Sequence, residues 1–411
     1  MSASTPSRMN SVEIRSGVSL STIFALRILG LFLILPVFAV AARDLPGGDN
    51  VALVGFALGA YGITQAIFHI PFGFAADRFG RKPVIVFGLL LFALGSFIAA
   101  YADNLYWICV GRVLQGAGAI SPAVTALAAD LTREEHRTKI MAMIGSSIGL
   151  VFALSLVIAP PLFDAGGLWA LFMLTGVLSL AAIALLFFAV PKAPPPVDAG
   201  RRARLSEVVF HPQLARLHFG IFALHVLQVG MFMLIPGALV AAGDLPLAEH
   251  WKLYLPAVVA SFIVMIPAII IAEKHLKFRA VFVASVALLL LTELGFIYGR
   301  GSFVAIAALV FVFFVAFNVL EALLPSLVTR FAGPEARGLA LGVYNTAQAV
   351  GLFVGGALGG WLARNAGADA VFWFGAGVCL VWILISASMI APPLRKARST
   401  PPAPDAQTQG A

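Results

Sequence analysis

The sequence predicts an all-α membrane protein with twelve transmembrane helices arranged as two pseudo-symmetric six-helix bundles. Three observations carry this. Of 411 residues, 61% are hydrophobic and 11% charged, against about 45–50% and about a quarter in a soluble domain. The apolar residues gather into runs near the length of about 20 that a helix needs to cross the hydrocarbon. Lys and Arg fall in alternate loops between those runs, which is a topology pattern.

The runs read as spans at 19–42, 51–75, 83–101, 105–130, 138–162 and 168–191, then 214–242, 249–273, 279–298, 302–331, 337–363 and 369–392. The first, Leu20 to Ala42, is too long for a secretory signal core and reads as a retained helix. Pro36, Pro122, Pro160 and Pro236 lie within spans, where neighbouring helices can satisfy the freed carbonyls. With the N-terminus in the cytoplasm, 21 of 27 Lys and Arg lie inside. Arg43, Lys252, Arg300 and Arg364 lie outside, and Arg27 and Arg112 within spans. Both termini are therefore expected in the cytoplasm, as in a multi-pass protein of an inner cell membrane. The net charge of +8 is spread over these loops and forms no basic face, so no nucleic-acid partner is expected. Cys109 and Cys379 both sit within apolar spans and read as small hydrophobes. No metal, cofactor or disulfide is expected.

Residues 192–213 are polar, basic and Pro-rich, and read as a cytoplasmic linker. They divide the chain into an N-terminal tail (1–18), a first bundle (19–191), a second bundle (214–392) and a disordered tail (393–411). Glu135-His136-Arg137 returns as Glu335-Ala336-Arg337 at an offset of 200 residues. Repeated halves with a site at their interface are common in transporters.

The most specific short feature is Gly73-Phe74-Ala75-Ala76-Asp77-Arg78-Phe79-Gly80-Arg81-Lys82, in the loop between the second and third spans. Glycine suits a tight turn between helices. Asp77 adds nothing to the positive-inside bias, but a carboxylate at a helix N-terminus stabilises it by about 0.3–1 kcal/mol. The string resembles the loop motif of the major facilitator superfamily, with Ala75 in place of the usual Leu. A second family motif is matched by Arg112-Val113-Leu114-Gln115-Gly116. Arg27-Ile28-Leu29-Gly30, the loop Ala248-Glu249-His250-Trp251-Lys252 and the run Phe317-Asn318 through Glu321 to Pro325-Ser326 resemble a proton-driven efflux branch of that family. The resemblance covers residues 19–392. One relative in that branch carries a ferredoxin-like domain after the last helix, and this chain is expected to lack it.

The resemblance implies that Asp77 caps the eleventh helix, and that Arg78 and Arg81 engage Asp130, with Gly73 and Gly80 shaping the loop. Together these would latch the cytoplasmic side shut. The antiporter motif of the fifth helix is only partly kept, as Ala159-Pro160-Pro161-Leu162.

An ionisable residue within the hydrocarbon costs at least about 2.5–3.5 kcal/mol and usually faces a cavity or a partner. Arg27 and Glu321 stand at similar depths in the first and tenth spans. In the family, helices one, four, seven and ten line the central cavity, so these two are expected to face each other. Glu321 is then the candidate proton carrier, with Arg27 and Arg112 as partners in coupling; a static ion pair is the competing reading for Glu321 and Arg27, and for Arg112 the resemblance equally implies holding the first and fourth helices together. His225, Gln228, Asn318, Gln115 and Asn345 are candidate cavity residues, with His69, Gln65 and Gln348 in reach. Glu293, either lipid-masked or paired, is left unassigned. The expected function is a secondary transporter, a proton-coupled antiporter exporting a small organic molecule and working as a monomer. The alternatives are a transport-inactive sensor or scaffold, or an importer. An enzyme is not expected, because no nucleotide loop, metal cluster or nucleophile–base set is found.

Overall fold

The structure is a computed structural model that describes residues 9–191, 204–243, 245–333 and 336–390. Among these residues it is helical, without strands. Ten helical stretches are long and apolar enough to cross a membrane. Two local breaks hide the remaining crossings. The 55-residue helix Glu134–Phe188 (α7) leaves helical geometry at Gly166 and Gly167, where Gly167 takes φ +62°, so it is two spans in one hydrogen-bonded run. The fourth span is split into α5 (Leu105–Ala117) and α6 (Ser121–Asp130), each too short to qualify alone. One added crossing from each brings ten to twelve.

The remaining helices follow the expected spans. The first comprises α1 (Ser11–Phe32) and α2 (Leu35–Ala41). The second and third are α3 (Val51–Phe79) and α4 (Arg81–Ala100). After the short α8 (Leu205–Val209) come α9 (Pro212–Gly243), α10 (Trp251–Lys274) and α11 (Phe278–Gly299). The last three are α12 (Phe303–Phe331), α13 (Arg337–Ala366) and α14 (Ala368–Ala387). The first helix begins at Ser11, inside the expected tail. Its start is fixed by a capping box: Asn10 Oδ1 accepts from the Glu13 amide at 2.8 Å, and the Asn10 amide donates to Glu13 Oε2 at 2.9 Å. Hydropathy misses this turn because it is polar. The described part of the linker holds α8; residues 192–203 and the tail 393–411 lie outside the described residues.

Within the first half α1 packs on α7, and α4 on α5 and α7. Within the second, α9 packs on α12 and α13, and α11 on α12 and α14. The halves meet along α3 against α13, α2 against α9 and α10 against α7. The α3–α13 contact is built from glycine. Gly55 and Gly59 face Gly356 and Gly360, and a Cβ at Gly59 would lie 2.7 Å from the Phe353 carbonyl oxygen. Small residues four apart on both helices let two backbones touch. Toward the end of the molecule where α1 begins, this contact runs out. A Cβ added at Gly342 or Gly338 meets nothing within 4 Å. The halves are thus joined at the end carrying residues 42–50 and diverge along this pair at the other end.

The internal repeat is also structural. Arg137 Nε donates to the Ala129 carbonyl and Arg337 Nε to the Thr329 carbonyl, both at 3.2 Å and both across eight residues. The neighbouring position reverses charge between the halves. Asp130 accepts from Arg81 at 3.1 Å, and Arg330 donates to Glu273 at 2.8 Å.

Candidate functional site

Polar groups inside this fold divide into those held within one half and those near the seam. Arg112 is held. It is fully buried, donates to the Ala57 and Leu58 carbonyls at 3.3 Å and to Gln115 Oε1 at 2.8 Å, and lies 5.1 Å from the Tyr61 ring centroid. Gln115 passes the network on to Ser96 Oγ at 2.8 Å. This ties α3, α4 and α5 together, so Gln115 faces the interior of its own bundle. Asn318 likewise donates to Ser261 Oγ at 2.8 Å, joining α12 to α10.

Arg27 is different. It is 0% exposed, and Nε, Nη1 and Nη2 have no hydrogen-bond partner among the described residues. Its guanidinium instead lies 5.7 Å from the Tyr61 ring centroid and 5.5 Å from that of Phe92. Cation–π attraction is worth about 2 kcal/mol when desolvated. The aromatic rings of its own half take the place of the expected partner, and no ion pair joins Arg27 to Glu321 among the described residues. Depth along a helix, which the sequence gives, leaves open the rotation that decides who faces whom.

Glu321 is half-buried on α12, and its Oε2 is closed off with no hydrogen-bond partner. The buried hydroxyl of Tyr344 on α13 is also unpartnered and close enough to interact with it electrostatically. Nearby groups cross between helices. His225 on α9 contacts the Ile221 carbonyl at 3.1 Å and Gln348 Nε2 at 2.7 Å. His69 on α3 meets Gln65 at 3.2 Å and, across the seam, Thr346 Oγ1 at 3.3 Å. Gln228 is fully buried with both amide atoms unpartnered, and Asn345 is half-buried on α13.

An aromatic cluster closes the seam. Phe152 of α7 lies 5.0 Å from Phe32 of α1, both in the first half. It also lies 6.1, 6.0 and 5.5 Å from Phe232, Phe314 and Phe317 of the second half. His225 stands 6.0 Å from Phe317 at its edge. With 33 phenylalanines in the chain, nothing in the sequence singles out these five. Tyr61, Tyr344 and Thr346 also give no sequence signal, being ordinary residues in apolar spans.

In the loop motif, Gly80 takes φ +93° between α3 and α4, a conformation that favours glycine. Gly73 is half-buried, and a Cβ added there would make ordinary contact with Pro122 at 3.8 Å. Arg81 pairs with Asp77 and, at 3.1 Å, with Asp130. Arg78 lies over the Phe79 ring instead, 5.5 Å from its centroid.

This architecture has known counterparts. The Major Facilitator Superfamily matches the chain over residues 20–355 and 251–409. The inner membrane transport protein YajR of Escherichia coli is 43% identical over 390 residues, which is 94% of this chain and 86% of that one. The multidrug resistance protein MdtH of Aeromonas salmonicida is 27% identical over 87% of this chain and 88% of its own length. Among solved structures, a bacterial homologue of the human lysosomal transporter Spinster, in an inward-facing and occupied conformation, superposes with a TM-score of 0.69. It has 13% identity and covers 92% of this chain and 96% of that one. Twelve helices in two repeated halves, a glycine seam between them and this match across the chain lead to one conclusion: the protein is a multi-pass membrane transporter of the Major Facilitator Superfamily.

Proposed function

We propose that this transporter is a proton-coupled antiporter that exports a small organic solute, working by alternating access between its halves, 19–191 and 214–392. The single observation that carries the reading is Glu321: a half-buried carboxyl on α12, beside an unpartnered tyrosine hydroxyl, with no cation paired to it among the described residues. A charge left there is costly, while a proton removes the cost. A proton crossing 100 mV releases about 2.3 kcal/mol, enough for about a fiftyfold gradient by the rule of tenfold per 1.4 kcal/mol.

In this reading the end carrying the N-terminus is cytoplasmic, and the state described is closed outside by the α3–α13 glycine contact and the aromatic cluster. The loop set Gly73, Asp77, Arg78, Gly80, Arg81 and Asp130 forms the latch of the opposite state. Arg27 and Arg112 stabilise the first half beside the proton route. His225, Gln228 and Asn345 meet the solute, whose apolar surface rests on the phenylalanines. The multidrug resistance relative supports a drug-like organic cargo.

The test uses proteoliposomes with an acid interior and an external dye that is a permanently charged quaternary cation, ethidium. Dye entry coupled to interior alkalinisation is expected for the native chain. Glu321→Gln should abolish the alkalinisation, with the variant still folded by thermal unfolding. Unchanged coupling in Glu321→Gln overturns the assignment.

A further inference from the structure

A second carboxyl lies deeper, away from the seam. Glu293 on α11 is 3% exposed and its Oε1 has no hydrogen-bond partner. It lines a crevice of about 10 Å³ with Gly230 of α9, Gly355 and Gly359 of α13, and Val371 and Gly375 of α14. That volume suits about one water molecule. The chain makes room for the acid by leaving out side chains: a Cβ at Gly375 would lie 2.8 Å from Glu293 Cδ.

The charges around it are engaged elsewhere. From α14, Cys379 is near enough to interact, while Asp369 pairs with Arg300. On α9, His225 is taken by Ile221 and Gln348. On α13, Arg364 donates to Asn50 at 3.1 Å. On α12, Arg330 pairs with Glu273 of α10, and Glu321 interacts with Tyr344. None forms an ion pair with Glu293 among the described residues. An ionised Glu293 would be a lone charge in hydrocarbon, whereas the neutral acid with one water is accommodated.

We propose that Glu293 and its glycine-lined crevice form a second proton-binding site, in the second bundle and apart from Glu321. The Glu293 carboxylate oxygen accepts a proton from a hydronium ion in the crevice, leaving the acid and one water; the reverse step returns it. The crevice is lined by Gly355 and Gly359 of α13, about 100° around that helix from Gly356 and Gly360, which pack against α3. Movement of α13 along the seam therefore widens or narrows the route by which water reaches the acid.

Infrared spectroscopy of the full chain in lipid nanodiscs tests this from about pH 5 to about pH 10, bracketing ordinary and raised carboxyl behaviour. Expected is a protonated-carboxyl band at neutral pH that shifts in D₂O, titrates within the range, vanishes in Glu293→Gln and persists in Glu321→Gln. Glu293→Gln should also bind one proton fewer in a potentiometric titration. Gly359→Ala fits sterically, its Cβ 3.5 Å from Met233 and 3.8 Å from Val371, and should slow the D₂O shift by occupying the water's place. No band lost in Glu293→Gln, a band that never titrates, or unaltered exchange in Gly359→Ala overturns the proposal. Loss of the other band, in Glu321→Gln, bears on Glu321 alone.

Discussion

Glu13 shows what a buried charge requires in this chain. It is 2% exposed and accepts from the Arg133 amide at 3.0 Å and from Arg133 Nε and Nη2 at 2.9 Å, besides Asn10. These bonds fasten the first turn of α1 to the start of α7. Arg133→Ala would leave the carboxylate with fewer partners, at about 1–3 kcal/mol for a buried acceptor so deprived. The lower part of that range is expected, since Arg133 is 47% exposed and water can replace it. Glu13→Ala in the same chain should recover part of the loss, because no stranded charge remains. A double-mutant cycle by thermal unfolding in detergent measures this, and additive single effects would count against coupling. The sequence hid this pair among tail and loop charges, because an acid and a base 120 residues apart carry no local pattern. By contrast Arg27, Arg112 and Glu321 stood out at once as charges inside apolar runs. Their partners did not, since Tyr61, Phe92 and Tyr344 are ordinary membrane residues that become specific only through packing.

At the scale of elements, helix number and extent follow from hydropathy because the bilayer imposes one length on every crossing. The breaks do not. Those at Leu33–Ile34, Gly118–Ile120 and Gly166–Gly167 depend on what neighbouring helices demand, and glycine is too common in this chain, at 39 residues, to mark them. The seam between α3 and α13 yields a direct prediction. A Cβ at Gly356 would sit 2.7 Å from the Gly59 amide nitrogen, backbone that cannot swing aside. Gly356→Leu should therefore force the two helices apart and disfavour closure at this end. Spin labels on the loops following α2 and α13 should report a longer mean distance, and transport should fall at least tenfold. A distance distribution identical to the native one would show that closure rests elsewhere, on the aromatic cluster.

For the whole molecule, two halves of similar plan carry opposite charges at one matching place, Asp130 against Arg330, the first paired with Arg81 and the second with Glu273. Duplication supplies the frame, and divergence supplies a difference between the faces that meet as the halves rock. What the sequence predicts to set the frame in the membrane is the lopsided placement of Lys and Arg, 21 expected on one side and 4 on the other. Moving one such loop across would leave several cations on the wrong side, so the bias favours a single orientation. Thiol labelling tests it directly. Cys109 and Cys379 are buried, and replacing both with Ser gives a blank background. Gly301→Cys adds a Cβ into open space between α11 and α12, and Phe210→Cys replaces a side chain 80% exposed beside α8. With the N-terminus in the cytoplasm, a membrane-impermeant maleimide should label Gly301→Cys on spheroplasts and Phe210→Cys only after permeabilisation. The reverse pattern would invert the protein, place the closed glycine seam on the cytoplasmic side, and turn the proposed export cycle into one that starts from the opposite face.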